Sequence, residues 1–333
     1  MPRPLDVFAA ALRALEAGKG VAVAAVIGAR GSTPRHLGAR MVVTADGAQW
    51  DTVGGGKIEQ LVVEAAQQVA GGAAPRVVRQ HLIRDLAMCC GGVMEVAITP
   101  GEASRAALEL LAGSRVPRVL ETPLDGSPLR VREPREDDPP MHAPKVIGDA
   151  LVERVGDHER VIVFGLGHVA RVLGPMLQTL GFRVIACDDG DTGALEPSPV
   201  WADQVIESFD VAEVERRIDG FGSDDYVLVI TRDHAIDQQL LEALIGRDEL
   251  GYLGMIGSRG KVGRFRKRLE HKGLLADDHD RARWARVRAP VGLDLGAETP
   301  AEIAIAIAAE LVALRRRGTS SAGDWTVKKA SDV

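Results

Sequence analysis

Val161–Asp189 reads VIVFGLGHVARVLGPMLQTLGFRVIACDD, and its order of residue types decides the fold. Val161 to Phe164 form an apolar run with the length of a buried strand. Gly165-Leu166-Gly167 then makes a tight turn into a segment whose apolar residues Val169, Val172, Leu173, Met176, Leu177 and Leu180 recur at helical spacing. Gly181 ends that helix, and Val184 to Cys187 form a second strand that closes on Asp188. This is the βαβ order in which a glycine turn lets a diphosphate approach the backbone and meet the open N–H groups of a helix start. Asp188 lies about twenty residues past the glycines, where a carboxylate can take a ribose 2′-hydroxyl.

Working outward, a chain of 333 residues has room for two domains, each with its own core. The expected fold class is α/β: an N-terminal α/β domain over 1–145, a C-terminal Rossmann-type parallel-sheet domain over 146–318, and a mobile tail over 319–333. A net charge of −6 without a concentrated basic stripe argues against nucleic acid as the main partner. No apolar run reaches the length that crosses a bilayer, and the first residues lack a signal-peptide pattern, so a cytoplasmic protein is expected. Three cysteines, Cys89, Cys90 and Cys187, make no disulfide framework.

In the first half, Leu5 to Ala17 reads as a helix and Val21 to Ile27 as a strand. Between that strand and the next lies GARGSTPRHLGARM, from Gly28 to Met41, too polar for a core element. Its hydroxyls and arginines, with Ser32, Pro34, Arg35 and Arg40 central, suit an anionic ligand. Gly54-Gly55-Gly56 precede a helix from Lys57 to Val69, a second place where backbone donors can face a phosphate, with Glu59 in the first turn. Strands over Arg76–Leu82 and Val93–Ile98 flank Met88-Cys89-Cys90-Gly91-Gly92. A thiol beside a Gly-Gly turn is exposed by its loop and open to ligand chemistry, whereas the pair does not have zinc spacing, and packing is the alternative for either cysteine. Cys187, at a strand end, reads as packing.

Pro123 to Pro144 is rich in proline and charge and has no periodicity, so it reads as a linker or peripheral excursion. Beyond the βαβ unit, strands near Val205, over Tyr226–Ile230 and over Tyr252–Ile256 each run into a helix in the same sense. Their carboxyl ends then share one edge, where open α/β sheets bind ligands. Gly165, Gly167, His168, Asp188, Asp233, His234, Ser258 and Arg259 come to that edge by topology. His234 is the candidate proton relay, because imidazole titrates near neutrality. Thr299-Pro300-Ala301-Glu302 is a capping signature for a final helix apolar on nearly all sides, which suggests a homodimer.

Taken together, GSTPRHLGARM, TVGGGKIE, MCCGG, VIVFGLGHVA, TRDHAIDQ, GMIGSRGK and PVGLDLGAETPAEIAIAIAAE resemble the XdhC/CoxI family of xanthine dehydrogenase accessory proteins. The resemblance spans nearly the whole chain and is weakest over 101–150 and after 318. It implies a maturation chaperone, rather than an enzyme with turnover of its own. Such a protein binds molybdenum cofactor (molybdopterin), promotes its sulfuration with a cysteine desulfurase and delivers it to xanthine dehydrogenase or a related molybdenum hydroxylase. On this resemblance the cofactor site comprises Ser32, Pro34, Arg35, Arg40, Gly54, Gly55, Gly56, Cys89 or Cys90, Gly91 and Gly92, with molybdenum held only through the cofactor. Two features depart from the family pattern: the doubled cysteine, and the lack of an arginine soon after Asp188-Asp189. The competing expectation is an NAD(P)-dependent oxidoreductase built on the Rossmann unit.

Overall fold

The computed structural model describes residues 7–88, 90–112, 116–139, 143–156 and 159–317. The tail expected over 319–333 lies outside the described residues. The chain forms two compact units, 1–158 and 159–333.

In the first unit, helix α1 (Val7–Glu16) leads into β1 (Val21–Arg30), followed by β2 (Arg40–Thr44), β3 (Gln49–Asp51), α2 (Gly56–Ala70), β4 (Arg76–His81), the short α3 (Leu82–Leu86) and β5 (Val93–Pro100). These strands form a sheet in the order β3-β2-β1-β5-β4, antiparallel throughout. The unbroken apolar run of β1 follows from its central place, because a strand covered on both faces has no polar side. Ala22, Ala24 and Val26 pack with Ile58, Val62 and Val69 of α2. Val21 and Val23 pack on the opposite face with Phe8 and Leu15 of α1 and with Leu108 and Leu111 of α4 (Arg105–Leu111).

The stretch over 123–144, read as a linker or peripheral excursion, carries one short strand among its described residues and is flanked by others. Strands β6 (Arg118–Pro123), β7 (Arg130–Arg132), β8 (Lys145–Ile147) and β9 (Ala150–Val155) form an antiparallel sheet in the order β7-β6-β9-β8. The first unit therefore runs past 145 to 158. β7 and β8 are three residues each, too short to show a period, and side-chain charge supports β7 where apolar alternation is lacking. Arg132 donates to Glu121 at 2.8 Å and to Asp138 at 2.5 and 2.8 Å.

The second unit alternates β10 (Arg160–Phe164), α5 (His168–Thr179), β11 (Arg183–Cys187), β12 (Gln204–Ile206), α6 (Val211–Arg217), β13 (Asp225–Val229), α7 (His234–Leu244), β14 (Tyr252–Met255) and α8 (Arg259–His271). Two further helices, α9 (Asp278–Arg286) and α10 (Pro300–Arg317), complete it. Its sheet is parallel in the order β12-β11-β10-β13-β14, the doubly wound arrangement expected of a Rossmann-type domain. Val161, Val163 and Val184 pack under Leu173 and Leu177 of α5 and Ile307 and Leu311 of α10. Ile162, Phe164 and Ile185 pack under α6, α7 and α8 through Val214, Leu241 and Phe265. Burying each such side chain contributes about 1.5–3 kcal/mol. Cys187 is fully buried in this second core, where burial pushes its thiol pKa up and leaves it as packing. Among the described residues, no helix is long and apolar enough to cross a membrane.

Candidate functional site

Three of the glycine-bearing motifs meet at one end of the first sheet. The register places the end of β1 against the start of β5, with Arg30 opposite Val93, and the start of β2 against the end of β3, with Met41 opposite Asp51. The loop after β1 lies directly on the cysteine loop: the Gly92 N–H donates to the Ser32 carbonyl at 2.9 Å. A Cβ on Gly92 would stand 2.5 Å from the carbonyl oxygens of Arg30 and Ser32. On its other side the same loop rests on the glycine run, for a Cβ on Gly54 would stand 2.7 Å from Pro34 Cγ. Met88 Cε closes the triangle, 3.3 Å from where a Cβ on Gly56 would be. Ser32, Pro34, Arg35, Gly54, Gly55, Gly56, Cys90, Gly91 and Gly92 are thus brought together. Cys89 lies outside the described residues. Cys90 is half-buried, packed partly against the core under α2.

The charges around this cluster are arranged differently from the sequence expectation. Arg35 is exposed and donates to Asp51 Oδ1 at 3.3 Å, a weak pair that leaves the guanidinium available. The glycine run, expected to offer bare N–H groups, is partly satisfied from within. Glu59 Oε2 accepts from the Gly55 N–H at 3.0 Å, from the Val53 N–H at 3.1 Å and from the Thr52 hydroxyl, while Thr52 Oγ1 accepts from the Gly54 N–H at 2.9 Å. Burial would raise the Glu59 pKa, but the hydrogen bonds from Thr52, Gly55, Val53 and Gly54 outweigh it and hold the carboxyl below its ordinary value. Arg40, expected at the ligand, lies in an ion pair within the first unit. It is buried, donates to both carboxylate oxygens of Glu153 at 3.1 and 2.5 Å, and stacks over the Phe8 ring at 5.1 Å. Its charge is already met by a bidentate partner.

In the second unit the strand ends bring Gly165, Gly167, His168, Asp188, Asp233, His234, Ser258 and Arg259 to one edge, as the parallel sheet requires. Gly165 is needed there: its φ is +100°, and a Cβ would stand 2.6 Å from Thr231 Cα. Asp188 faces inward instead of toward a ribose. It is 2% exposed, and its oxygens accept from the Leu166 N–H at 2.9 Å and the Gly190 N–H at 3.1 Å. The carboxylate takes a donor of the glycine turn for itself. Asp233 and Ser258 are helix caps, accepting from the Ala235 N–H at 2.6 Å and the Lys261 N–H at 3.3 Å. His234 is exposed in the first turn of α7.

Sequence reasoning missed three residues at this edge. Arg232 donates to both oxygens of Asp189, at 2.9 and 2.8 Å. The arginine absent after the paired aspartates thus arrives from the end of β13. Lys261, 4% exposed, donates to the fully buried Asp237 at 2.5 Å and to the Ile256 carbonyl at 3.1 Å, while Asp237 also accepts from the Thr231 hydroxyl at 2.6 Å. This pair ties the carboxyl ends of β13 and β14 together. Both partners sit in the motifs TRDHAIDQ and GMIGSRGK, and no local pattern reports their spatial pairing.

Residues 161–311 match the family model described as the XdhC Rossmann domain, and residues 14–80 match that of the XdhC and CoxI family. The chain is 30% identical over 318 residues to the protein YqeB of Escherichia coli (strain K12), covering 93% of this chain and 46% of that protein. Over 173 residues it is 30% identical to a probable xanthine dehydrogenase subunit of Bacillus subtilis (strain 168), covering 50% of this chain and 46% of that one. The chain therefore spans under half the length of these curated relatives. A crystal structure of a xanthine dehydrogenase from Bacillus halodurans superposes with a TM-score of 0.72 at 23% identity, over 95% of this chain and 98% of that one, a likeness of fold. With both of its characteristic segments present in order, the chain belongs to the XdhC and CoxI family.

Proposed function

We propose that the chain serves the maturation of a xanthine dehydrogenase or related molybdenum hydroxylase by holding molybdenum cofactor at the loop cluster of the first unit. Family membership and the name of the Bacillus subtilis relative support the coarser part of this reading. The observation that carries the finer part is the meeting of the loops at Ser32–Arg35, Gly54–Gly56 and Cys90–Gly92.

The residues fit such a group. Exposed Arg35 and Lys57 offer positive charge to a pterin phosphate, and the glycines let backbone come close to a flat ring system. Bound there, the cofactor would supply a metal centre able to take on a terminal sulfur ligand. The chain's own residues would position and shelter it: Arg35 and Lys57 by charge, Gly54 and Gly92 by close packing of the loops, and Cys90 by a half-buried thiol facing limited water. A cysteine desulfurase as sulfur source, a second copy of this chain and a cytoplasmic setting complete the proposal. The NAD(P)-dependent oxidoreductase reading has less support, since Asp188 and Asp189 are both engaged within the protein.

The test mixes purified protein with molybdopterin and follows retention through gel filtration. It then measures the sulfur content of the metal centre in an apo hydroxylase activated with and without this chain. Retention lost in Arg35→Ala and in the Cys89→Ala/Cys90→Ala double variant supports the reading. Equal retention by all variants overturns it.

A further inference from the structure

Beside the carboxyl end of β14, the second unit holds a cleft of about 590 Å³ that the proposed function does not use. That volume lies in the range of small-molecule sites. One wall is the Ile256–Arg259 turn; the other is the glycine-rich loop Pro290–Ala297 backed by Ile303 and Ala306 of α10.

Both walls are fixed. The segment before the loop runs along β14, with the Arg288 N–H donating to Leu253, the Met255 N–H to Arg288 and the Val291 N–H to Met255, at 2.8–2.9 Å. Gly292, with φ +99°, lies on the backbone of Ala306 and Ile307, and its N–H donates to the buried carboxylate of Glu310 at 2.5 Å. On the opposite wall, buried Lys261 holds the Ile256 carbonyl.

The ordinary dinucleotide path is, by contrast, bridged. β10 lies between β11 and β13, so the Arg232–Asp189 pair, which joins the ends of those two strands, crosses the glycine turn that follows β10.

We infer that this cleft binds a phosphate monoester carrying a ring-bearing, largely apolar body. Ile256, Val291, Leu293 and Ile303 line it with apolar surface, and at its mouth Ser258 and Arg259 offer a hydroxyl and a guanidinium to the phosphate. Arg259 pairs with Asp294 at 3.2 Å, with the two side chains 87% and 82% exposed. A pair this exposed contributes little and yields readily to a doubly charged ligand. The inference is independent of cofactor binding in the first unit.

Isothermal titration of the full chain with adenosine, guanosine and cytidine monophosphates, phenyl phosphate and inorganic phosphate tests it. At least one ring-bearing monoester binds more tightly than inorganic phosphate. A preference for the nucleotides over phenyl phosphate assigns a nucleoside source, and equal binding assigns ring and phosphate alone. Arg259→Ala weakens binding by about tenfold or more, the loss of a charge-assisted hydrogen bond, whereas Asp294→Ala, by freeing Arg259, tightens it. Opposite signs from two exposed substitutions exclude a mere folding effect. The inference is overturned by absence of binding at millimolar concentrations, by binding that both variants leave unchanged, or by NAD binding that Arg232→Ala improves and Arg259→Ala does not alter.

Discussion

Arg232 grips Asp189 with two parallel hydrogen bonds, and Asp188 and Asp191 stand 3.9 and 3.7 Å from the same guanidinium. One arginine thus balances three carboxylates at the carboxyl edge of the second sheet. The hydrogen bonds from Arg232 hold the Asp189 carboxyl below its ordinary value, against the opposing effect of burial. A carboxyl depressed in the folded state contributes stability above its unfolded pKa of about 3.9 and loses it as pH falls through the lower folded value. Arg232→Ala is therefore expected to cost about 1 kcal/mol at neutral pH. Chemical denaturation of both proteins from pH 7 down to pH 3 should show that difference shrinking below about pH 4. A constant gap across the series would mean that the pair is not what stabilises this edge.

Arg40 and Glu153 form a buried bidentate pair. Removing one partner leaves the other charge buried and alone, which typically costs about 3–5 kcal/mol. Glu153→Leu should lower the denaturation midpoint accordingly, and the double variant Arg40→Met/Glu153→Leu should recover most of the loss. In that double variant molybdopterin retention should match the wild type, because the Arg40 guanidinium is already engaged by Glu153. Retention lost despite recovered stability would return Arg40 to the site.

The limits of what could be read from the residues follow from the range of each interaction. β1 and β10 were legible because burial on both faces writes itself into consecutive residues. The Gly-x-Gly turn was legible because close approach demands glycine at a fixed position. The pairing of Arg40 was not legible because its partner lies 113 positions away, and no local pattern reports such a pairing. β7 and β8 were missed because three residues cannot display a period of two. Asp188 stood at the expected position, yet its orientation depends on a donor, the Leu166 N–H, supplied by the turn itself.

Glu59 shows how a first-turn acid can shape a binding loop from beneath. Its carboxylate collects the hydroxyl of Thr52 and the N–H groups of Val53 and Gly55. Glu59→Ala leaves those donors without an acceptor and should destabilise the protein by about 1–3 kcal/mol. Glu59→Gln keeps one carbonyl oxygen and should lose less. Because the folded pKa is lowered, the advantage of wild type over Glu59→Gln should be present above about pH 4.3 and fade as pH falls further. Thermal melts of the three proteins across that range check both the order and the sign.

The two glycines of the cysteine loop should respond unequally to one methyl group. At Gly92 the added Cβ meets the rigid carbonyl oxygens of Arg30 and Ser32, neither of which can withdraw without moving the Ser32 loop. At Gly91 it meets only Ile83 Cδ1, at 3.3 Å, the far end of a side chain that is 53% exposed. Gly92→Ala should therefore cost about 1–3 kcal/mol, as overpacking does, while Gly91→Ala stays within about 0.5 kcal/mol of wild type. Because the displaced loop carries Arg35, Gly92→Ala should also release molybdopterin under conditions where Gly91→Ala retains it. Denaturation curves and gel-filtration retention measured on the same preparations separate the two effects. Should Gly92→Ala prove as stable and as retentive as Gly91→Ala, the loops are not packed as tightly as a shared site requires.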